Sequence, residues 1–196
     1  YFSEYEEFEG SQVFLNAPQN YPLLKGQKAN LYKCFLPKSW SLTSHDGVTG
    51  FLHPESIFDD PNGGPLRREV YPRLRGHYQF TNVNLLFHDV MIWVKYSISI
   101  YGSAQDKINF ISVSNLFKSS TLDYSFLHDG SGLPGGIKDD QNEWNTEGHK
   151  DRLLVITRSE LKLFARIYDG EDTPALEARL PSLHTRQLVA LLERFA

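Results

Sequence analysis

The chain is almost without cysteine. Cys34 stands alone among 196 residues, so no internal disulfide can form, and no Cys/His cluster has zinc-ligand spacing. There is no N-x-[ST] glycosylation acceptor either. The two absences together favour a reducing compartment, cytoplasmic or nuclear. No apolar run reaches the length of a membrane span, and no signal-peptide pattern is present. Positive charge is not in excess: 20 Lys and Arg face 24 Asp and Glu, a formal net charge of -4. Nothing global therefore draws the chain onto DNA or an anionic membrane. The motifs G-x-x-x-x-G-K-[ST], G-x-G-x-x-G, G-x-S-x-G and H-E-x-x-H are all missing, which removes the sharpest enzymatic readings. The first residue is Tyr1 rather than Met, which reads as an excised fragment of a larger protein.

What is present suits one globular unit: 40% of the residues are hydrophobic. Residues 1–10 (YFSEYEEFEG) interleave rings with four glutamates and read as an acidic-aromatic arm; residues 11–196 read as a single β-rich domain. The stretch DVMIWVKYSISIYG, 89–102, alternates strictly. Val90, Ile92, Val94, Tyr96, Ile98 and Ile100 point one way; Met91, Trp93, Lys95, Ser97, Ser99 and Tyr101 point the other. Period two is the mark of a strand with two unlike faces, so the first set is expected in the core. Ser11–Asn16, Ala29–Leu36, 77–87, INFISVSNLF (108–117) and RLLVIT (152–157) read as further strands, with 108–117 the hairpin partner of 89–102. Residues 160–168 alternate as the second arm of a late hairpin. DDPNGGP (59–65) is the strongest turn signal. Leu188, Leu191, Leu192 and Phe195 recur at helical spacing after Ser182, predicting a closing helix. The expected class is α+β, mainly β: an antiparallel sheet, or a partly open barrel or sandwich, closed by a C-terminal amphipathic helix.

Three constellations invite a functional reading. PLRREVYPRLRGHYQF gathers Arg67, Arg68, Arg73 and Arg75 with Tyr71, Tyr78 and Phe80. Guanidinium groups bind phosphate bidentately and stack on rings, so Arg67, Arg68, Arg73, Arg75 and Tyr78 are candidate ligands for a phosphoinositide, an acidic peptide or a nucleic-acid backbone. The competing reading is a solvated surface, or a latch between these arginines and Glu4, Glu6, Glu7 and Glu9. Trp93, Lys95 and Tyr101 share the second face of the alternating strand, and two rings with a cation resemble a partner-binding hot spot; the alternative is that another layer covers them. The loop 128–151, long and glycine-rich, offers Asp139, Asp140 and Glu143 as acid or base for an enzyme, without an identifiable partner. Asp59, Asp60, Asp129, Asp139 and Asp140 are better explained by solvation than by a calcium site, and Cys34 as a buried thiol. No metal or cofactor is expected.

The C-terminal portion resembles a pleckstrin-homology-type domain. GHKDRLLVITRSELKLFARIYDG is similar to its late strands, LPSLHTRQLVALLERFA to its closing helix, and LLKGQKANLYKCFLPKSW to its first hairpin, with Lys25, Gly26, Lys28 and Lys33 at its glycine and basic positions. The match covers about a third of the chain, residues 40–150 are far longer than that family's middle strands, and the closing helix lacks its tryptophan. The resemblance implies a binding scaffold rather than an enzyme. The leading expectation is therefore an intracellular, non-catalytic interaction module for a protein partner or a phosphate-bearing ligand. The alternatives are a nucleic-acid-binding domain acting through segment 67–77, and an enzyme with its site in loop 128–151.

Overall fold

The computed structural model describes residues 1–27 and 30–196. In chain order its elements are α1 (Phe2–Asn16), α2 (Leu31–Leu42), β1 (Thr49–Pro54), α3 (Ser56–Asp59), α4 (Gly64–Val70), β2 (Leu74–Thr81), β3 (Lys95–Tyr101), β4 (Asn109–Leu116), α5 (Ser120–Leu127), β5 (Leu154–Thr157), α6 (Arg158–Phe164) and α7 (Arg186–Phe195). The five strands form one open sheet in the order β1-β3-β2-β4-β5. β3 runs antiparallel to both β1 and β2, β4 lies parallel to β2, and β5 returns antiparallel to β4. The class is α+β, but the sheet is mixed and unclosed, and helices rival strands. The mainly-β barrel or sandwich is thereby corrected.

Several elements differ from the sequence expectation, each for a local reason. Residues 11–16 continue α1 rather than forming a strand, and α1 runs through the expected end of the arm. Leu31–Leu36 belongs to α2, because Asn30 caps it: its side chain accepts from the Tyr32 amide. Ala29 and Lys28 lie outside the described residues. Segment 160–168 is helical because Thr157 and Glu160 form a capping box, Glu160 Oε2 accepting from the Thr157 amide at 2.7 Å while the Thr157 hydroxyl accepts from the Ser159 amide. The late hairpin and first hairpin of the pleckstrin-type resemblance are thus a strand followed by a helix, and a helix; that assignment is withdrawn.

The alternating stretch is half strand. Residues 89–94 belong to a loop, and β3 begins at Lys95. Its burial departs from the expectation except at Lys95, which is exposed, and Tyr96, which is buried. Ser97, Ser99 and Tyr101 are buried, while Ile98 is 39% and Ile92 41% exposed. β3 lies between β1 and β2, and these two flanking strands bring polar partners to the inner face. Tyr101 Oη lies 3.0 Å from His53 Nε2, and the Ser97 and Ser99 hydroxyls are 3.2 Å apart. β4 pairs with β2 and β5, not β3, so the expected hairpin does not form.

The main core lies on this inner face, where Ile57, Phe58, Leu66, Val70, Tyr71, Phe110, Leu161 and Phe164 pack. Val189 and Leu192 of α7 lean on it, whereas Leu188, Leu191 and Phe195 remain exposed. A second, smaller cluster of Phe80, Tyr96, Val113 and Leu116 occupies the opposite face, with Leu122 of α5 against it. That thinly covered side carries the site described next. Among the described residues no helix is long and apolar enough to cross a membrane.

Candidate functional site

Strand direction puts three carboxyl ends together. β1 and β2 both oppose β3, and β4 parallels β2, so Pro54, Thr81 and Leu116 end at one edge of the sheet. Ligand clefts in open α/β sheets form outside such edges. A cleft of about 550 Å³ opens there. Phe80 and Tyr96 form its floor, their ring centres 5.7 Å apart and their planes nearly parallel at 9°. Leu52 and Ile98 continue the floor, and Phe117 with Lys118–Ser120 makes the wall ahead of α5. The opposite wall is Leu86 and Phe87, the Phe87 ring edge-on to Tyr96 at 5.1 Å. Asn84 ties the two walls, its Nδ2 donating to the Phe117 carbonyl at 2.7 Å.

The surroundings hold this cleft in shape. Asn82, buried, donates to the carbonyls of Phe87 (2.8 Å) and Val90 (2.7 Å) and accepts from the Phe87 amide (3.0 Å). Trp144 from the 128–151 loop packs on Phe117 at 4.7 Å, and the Lys138 ammonium lies 3.9 Å from the Trp144 ring centre. The loop is tied down as well by Arg152, fully buried, which donates to the carbonyls of Glu147, Ser114 and Asn115. Burial lowers the Arg152 pKa to about 10. Gly148 touches α5 so closely that an added Cβ would stand 2.4 Å from Tyr124 Cβ and 2.5 Å from the Ser125 nitrogen.

Behind the cleft, on the inner face, a polar row crosses the sheet. His77 Nδ1 lies 2.9 Å from Ser112 Oγ, and its Nε2 3.0 Å from Glu55 Oε1. Gln79 Nε2 donates to Glu55 Oε2 at 2.9 Å and to Ser182 Oγ at 2.7 Å. Burial works against the Glu55 carboxylate, but the charge of His77 and hydrogen bonds from His77, Gln79 and Ser97 prevail and hold it at about 2. Glu55, His77 and Ser112 are all buried and none lines the cleft, so this row braces the sheet.

The arginines expected to bind phosphate are spoken for. Arg67 is 1% exposed; its Nε donates to the Glu177 carbonyl (2.9 Å) and its Nη1 to those of Ile57 (3.1 Å) and Asp60 (2.6 Å). Arg68 pairs with Glu177, and Arg73 with Glu69 at 2.7 Å beneath the Trp40 ring. Arg75 donates to the carbonyls of Pro72, Leu74 and Ser103. Tyr78 is half-buried, edge-on to Phe126. Segment 67–77 is an internal brace between α4, the Glu177 turn and the sheet, and the four guanidinium groups do not form one open patch. The glutamates of α1 make no ion pair with these arginines among the described residues.

The second expected site is also dispersed. Tyr101 is buried, Lys95 is exposed and reaches the Ser182 hydroxyl at 3.3 Å, and Trp93 projects from the preceding loop, 68% exposed. In the 128–151 loop, Asp139 Oδ1 accepts from the amides of Gln141 and Glu143, which makes it a turn-former. Lys33 and Asp60 pair at 3.0 Å. Cys34 is buried, and burial pushes its thiol pKa up. Among the described residues no three carboxylate, His or Cys side chains gather as a metal site.

No family model and no curated protein matches the chain. Among solved structures, it is similar to a modification subunit of a putative type I restriction enzyme from Vibrio vulnificus, at 10% identity and a TM-score of 0.47, over 90% of this chain and 36% of that one. It is similar to the M protein of the type I restriction enzyme EcoKI, at 13% identity and 0.42, over 86% and 42%. It is similar to the type IIG restriction endonuclease BpuSI, at 16% identity and 0.43, over 79% and 17%. The chain therefore spans less than half the length of each. All three scores lie below 0.5, so the functional reading rests on the chain's own geometry. These neighbours are restriction–modification proteins, not pleckstrin-type domains. With the resemblance withdrawn and Tyr101 buried, the interaction-module reading falls too.

Proposed function

We propose that this domain binds nucleic acid, holding one unstacked base in the cleft at the carboxyl edge of the sheet. The observation that carries this is the wall composition: four aromatic rings, Phe80, Phe87, Tyr96 and Phe117, around a space of about 550 Å³, with polar side chains gathered on one part of its lining. Flat rings accept any base by stacking, each such contact contributing about 1–3 kcal/mol. Asn84, Thr81, Ser119 and Ser120 supply hydrogen-bonding groups for a base edge, and Lys118 is an exposed cation in the cleft lining. The route differs from a phosphate-tracking arginine patch, so affinity arises mainly from stacking.

The test is fluorescence anisotropy with a labelled single-stranded DNA oligonucleotide, against the wild type and Leu52→Trp. Leu52 is exposed at the cleft floor, so the larger ring fills the space without disturbing the core. The expected result is a loss of about tenfold or more in affinity with an unchanged Tm. Equal binding by both proteins, or none by the wild type, overturns the reading. A free nucleoside, run as competitor, separates recognition of the base alone from recognition within a strand.

A further inference from the structure

Helix α1 stands outside both the sheet and the cleft. Fifteen residues long, it has no buried residue, and Leu15 near its end leans on the main core. Isolated helices of such length are marginal in water, and most draw their stability from packing one face. At about 100° per residue, Tyr1, Tyr5 and Phe8 fall on one stripe of α1, with Glu4 along one side of it and Glu9 along the other. Tyr5 is 56% and Phe8 64% exposed. Glu6 and Glu7 add to the charge, and no Lys or Arg precedes Lys25.

The opposite charge is laid out late in the chain. Arg158, Lys162 and Arg166 recur every four residues along α6 and the π-helical turn Ala165–Asp169 that continues it, so they share one side of that helix. All three are exposed, and none joins an ion pair among the described residues. Lys162 and Arg166 border a groove of about 250 Å³ between α6 and the end of α7, with Ser159, Leu163, Glu193 and Ala196. Glu193 is the acid of that lining, against two cations within it and Arg158 beside it.

We infer that α1 of one copy docks along the Arg158–Lys162–Arg166 stripe of a second copy, its rings against the groove at Leu163 and its glutamates against the cations. Charge complementarity selects the occupant. Each surface carries mainly one sign, each is the complement the other lacks, and every copy bears both. Within one copy they do not meet, since no glutamate of α1 pairs with α6 among the described residues. Two copies that exchange α1 make the contact twice and close on a two-fold axis. The charges steer and orient the encounter, while burial of the rings supplies most of the affinity. This contact is independent of the base-cleft reading.

The experiment is sedimentation velocity over a concentration series. It compares the wild type, a Glu4→Lys/Glu9→Lys variant, a Lys162→Glu/Arg166→Glu variant, and an equimolar mixture of the two variants. All four positions are exposed, and an unchanged Tm verifies that each protein is folded. The wild type is expected to self-associate, more weakly as salt rises. Each variant alone sets like charges face to face and is expected to associate at least about tenfold more weakly. The mixture restores opposite signs at both contacts and is expected to return to within about threefold of wild type. A wild type that stays monomeric throughout the series, variants that associate as the wild type does, or a mixture no better than its components would each overturn the inference. Single-strand binding by the base cleft is read separately, in the Leu52→Trp comparison.

Discussion

The imidazole of His77 lies 3.0 Å from the Glu55 carboxylate in the middle of the sheet's inner face, where neither side chain meets water. The pair joins the end of β1 to β2 across the intervening β3. Its pH consequence has a definite sign. Glu55 is held at about 2, below an ordinary 4.5, so its contribution is complete above 4.5 and is lost as pH falls toward 2. Urea midpoints measured through this window should fall steeply for the wild type and less so for Glu55→Gln. Parallel curves would mean that the pair does not govern acid stability.

His184 should act in a higher window. It is buried, its ring nitrogens meet no partner of good geometry, and burial, with Arg152 nearby, lowers its pKa to about 4. Protonation then favours the unfolded chain, so stability is full above 6.5 and is lost as pH falls from 6.5 to 4. His184→Leu should remove that slope, as read from Tm against pH, and leave the lower Glu55 window intact.

Arg67→Met should cost about 3 kcal/mol, because three carbonyls lose their donor in a buried place. Under conditions where the variant stays folded, single-strand affinity should match the wild type. A large loss of affinity without loss of stability would reinstate Arg67 as a ligand group.

Salt dependence of single-strand binding should be shallow. With Lys118 and one or two further cations near the strand, the slope of log affinity against log salt should be roughly -1 to -2. Lys118→Ala should flatten it by about 0.7. A slope several times steeper would point to a phosphate track elsewhere on the surface.

Gly148→Ala should destabilise although the position lies in an irregular loop, because the new methyl meets the α5 backbone. The expected signature is faster amide exchange in α5 and in the Phe117–Ser120 wall, with weaker base binding than the fall in stability alone would cause.

Elements specified by nearby residues were legible in the sequence. The strands at 109–116 and 154–157, the closing helix and the buried Cys34 rest on periodicity or one thiol. The expected strand 77–87 is strand only to Thr81, β2 starting earlier at Leu74, and DDPNGGP is not a free turn but the junction of α3, a 3-10 turn at Pro61–Gly63 and α4. Asn30 and the Thr157/Glu160 box were readable too, but alternation at 29–36 and 160–168 masked them; two-residue periodicity in a short stretch is weak against a good cap. The faces of β3 beyond Tyr96 could not be read. Ser97, Ser99 and Tyr101 are buried because His53 and the polar row of β2 and β4 come to meet them. The arginines misled for a similar reason: Arg67 satisfies the carbonyl of Glu177, 110 positions away in sequence. The cleft draws its walls from β1, β2, β3, the Asn82 loop and the start of α5, so no contiguous motif carries it.

β3 follows both of its neighbours in the chain yet lies between them. As the polypeptide leaves the ribosome, β1 and β2 emerge with their facing edges unmatched, and they cannot close on each other without shutting out the strand to come. The β1-β3-β2 part of the sheet can therefore close only by a late insertion, after residue 101 has been made, and β4 and β5 lie later still in the chain. Until that moment two exposed edges invite pairing with other chains, so aggregation during synthesis should respond far more to substitutions that slow β3 insertion than to equally destabilising ones in α7.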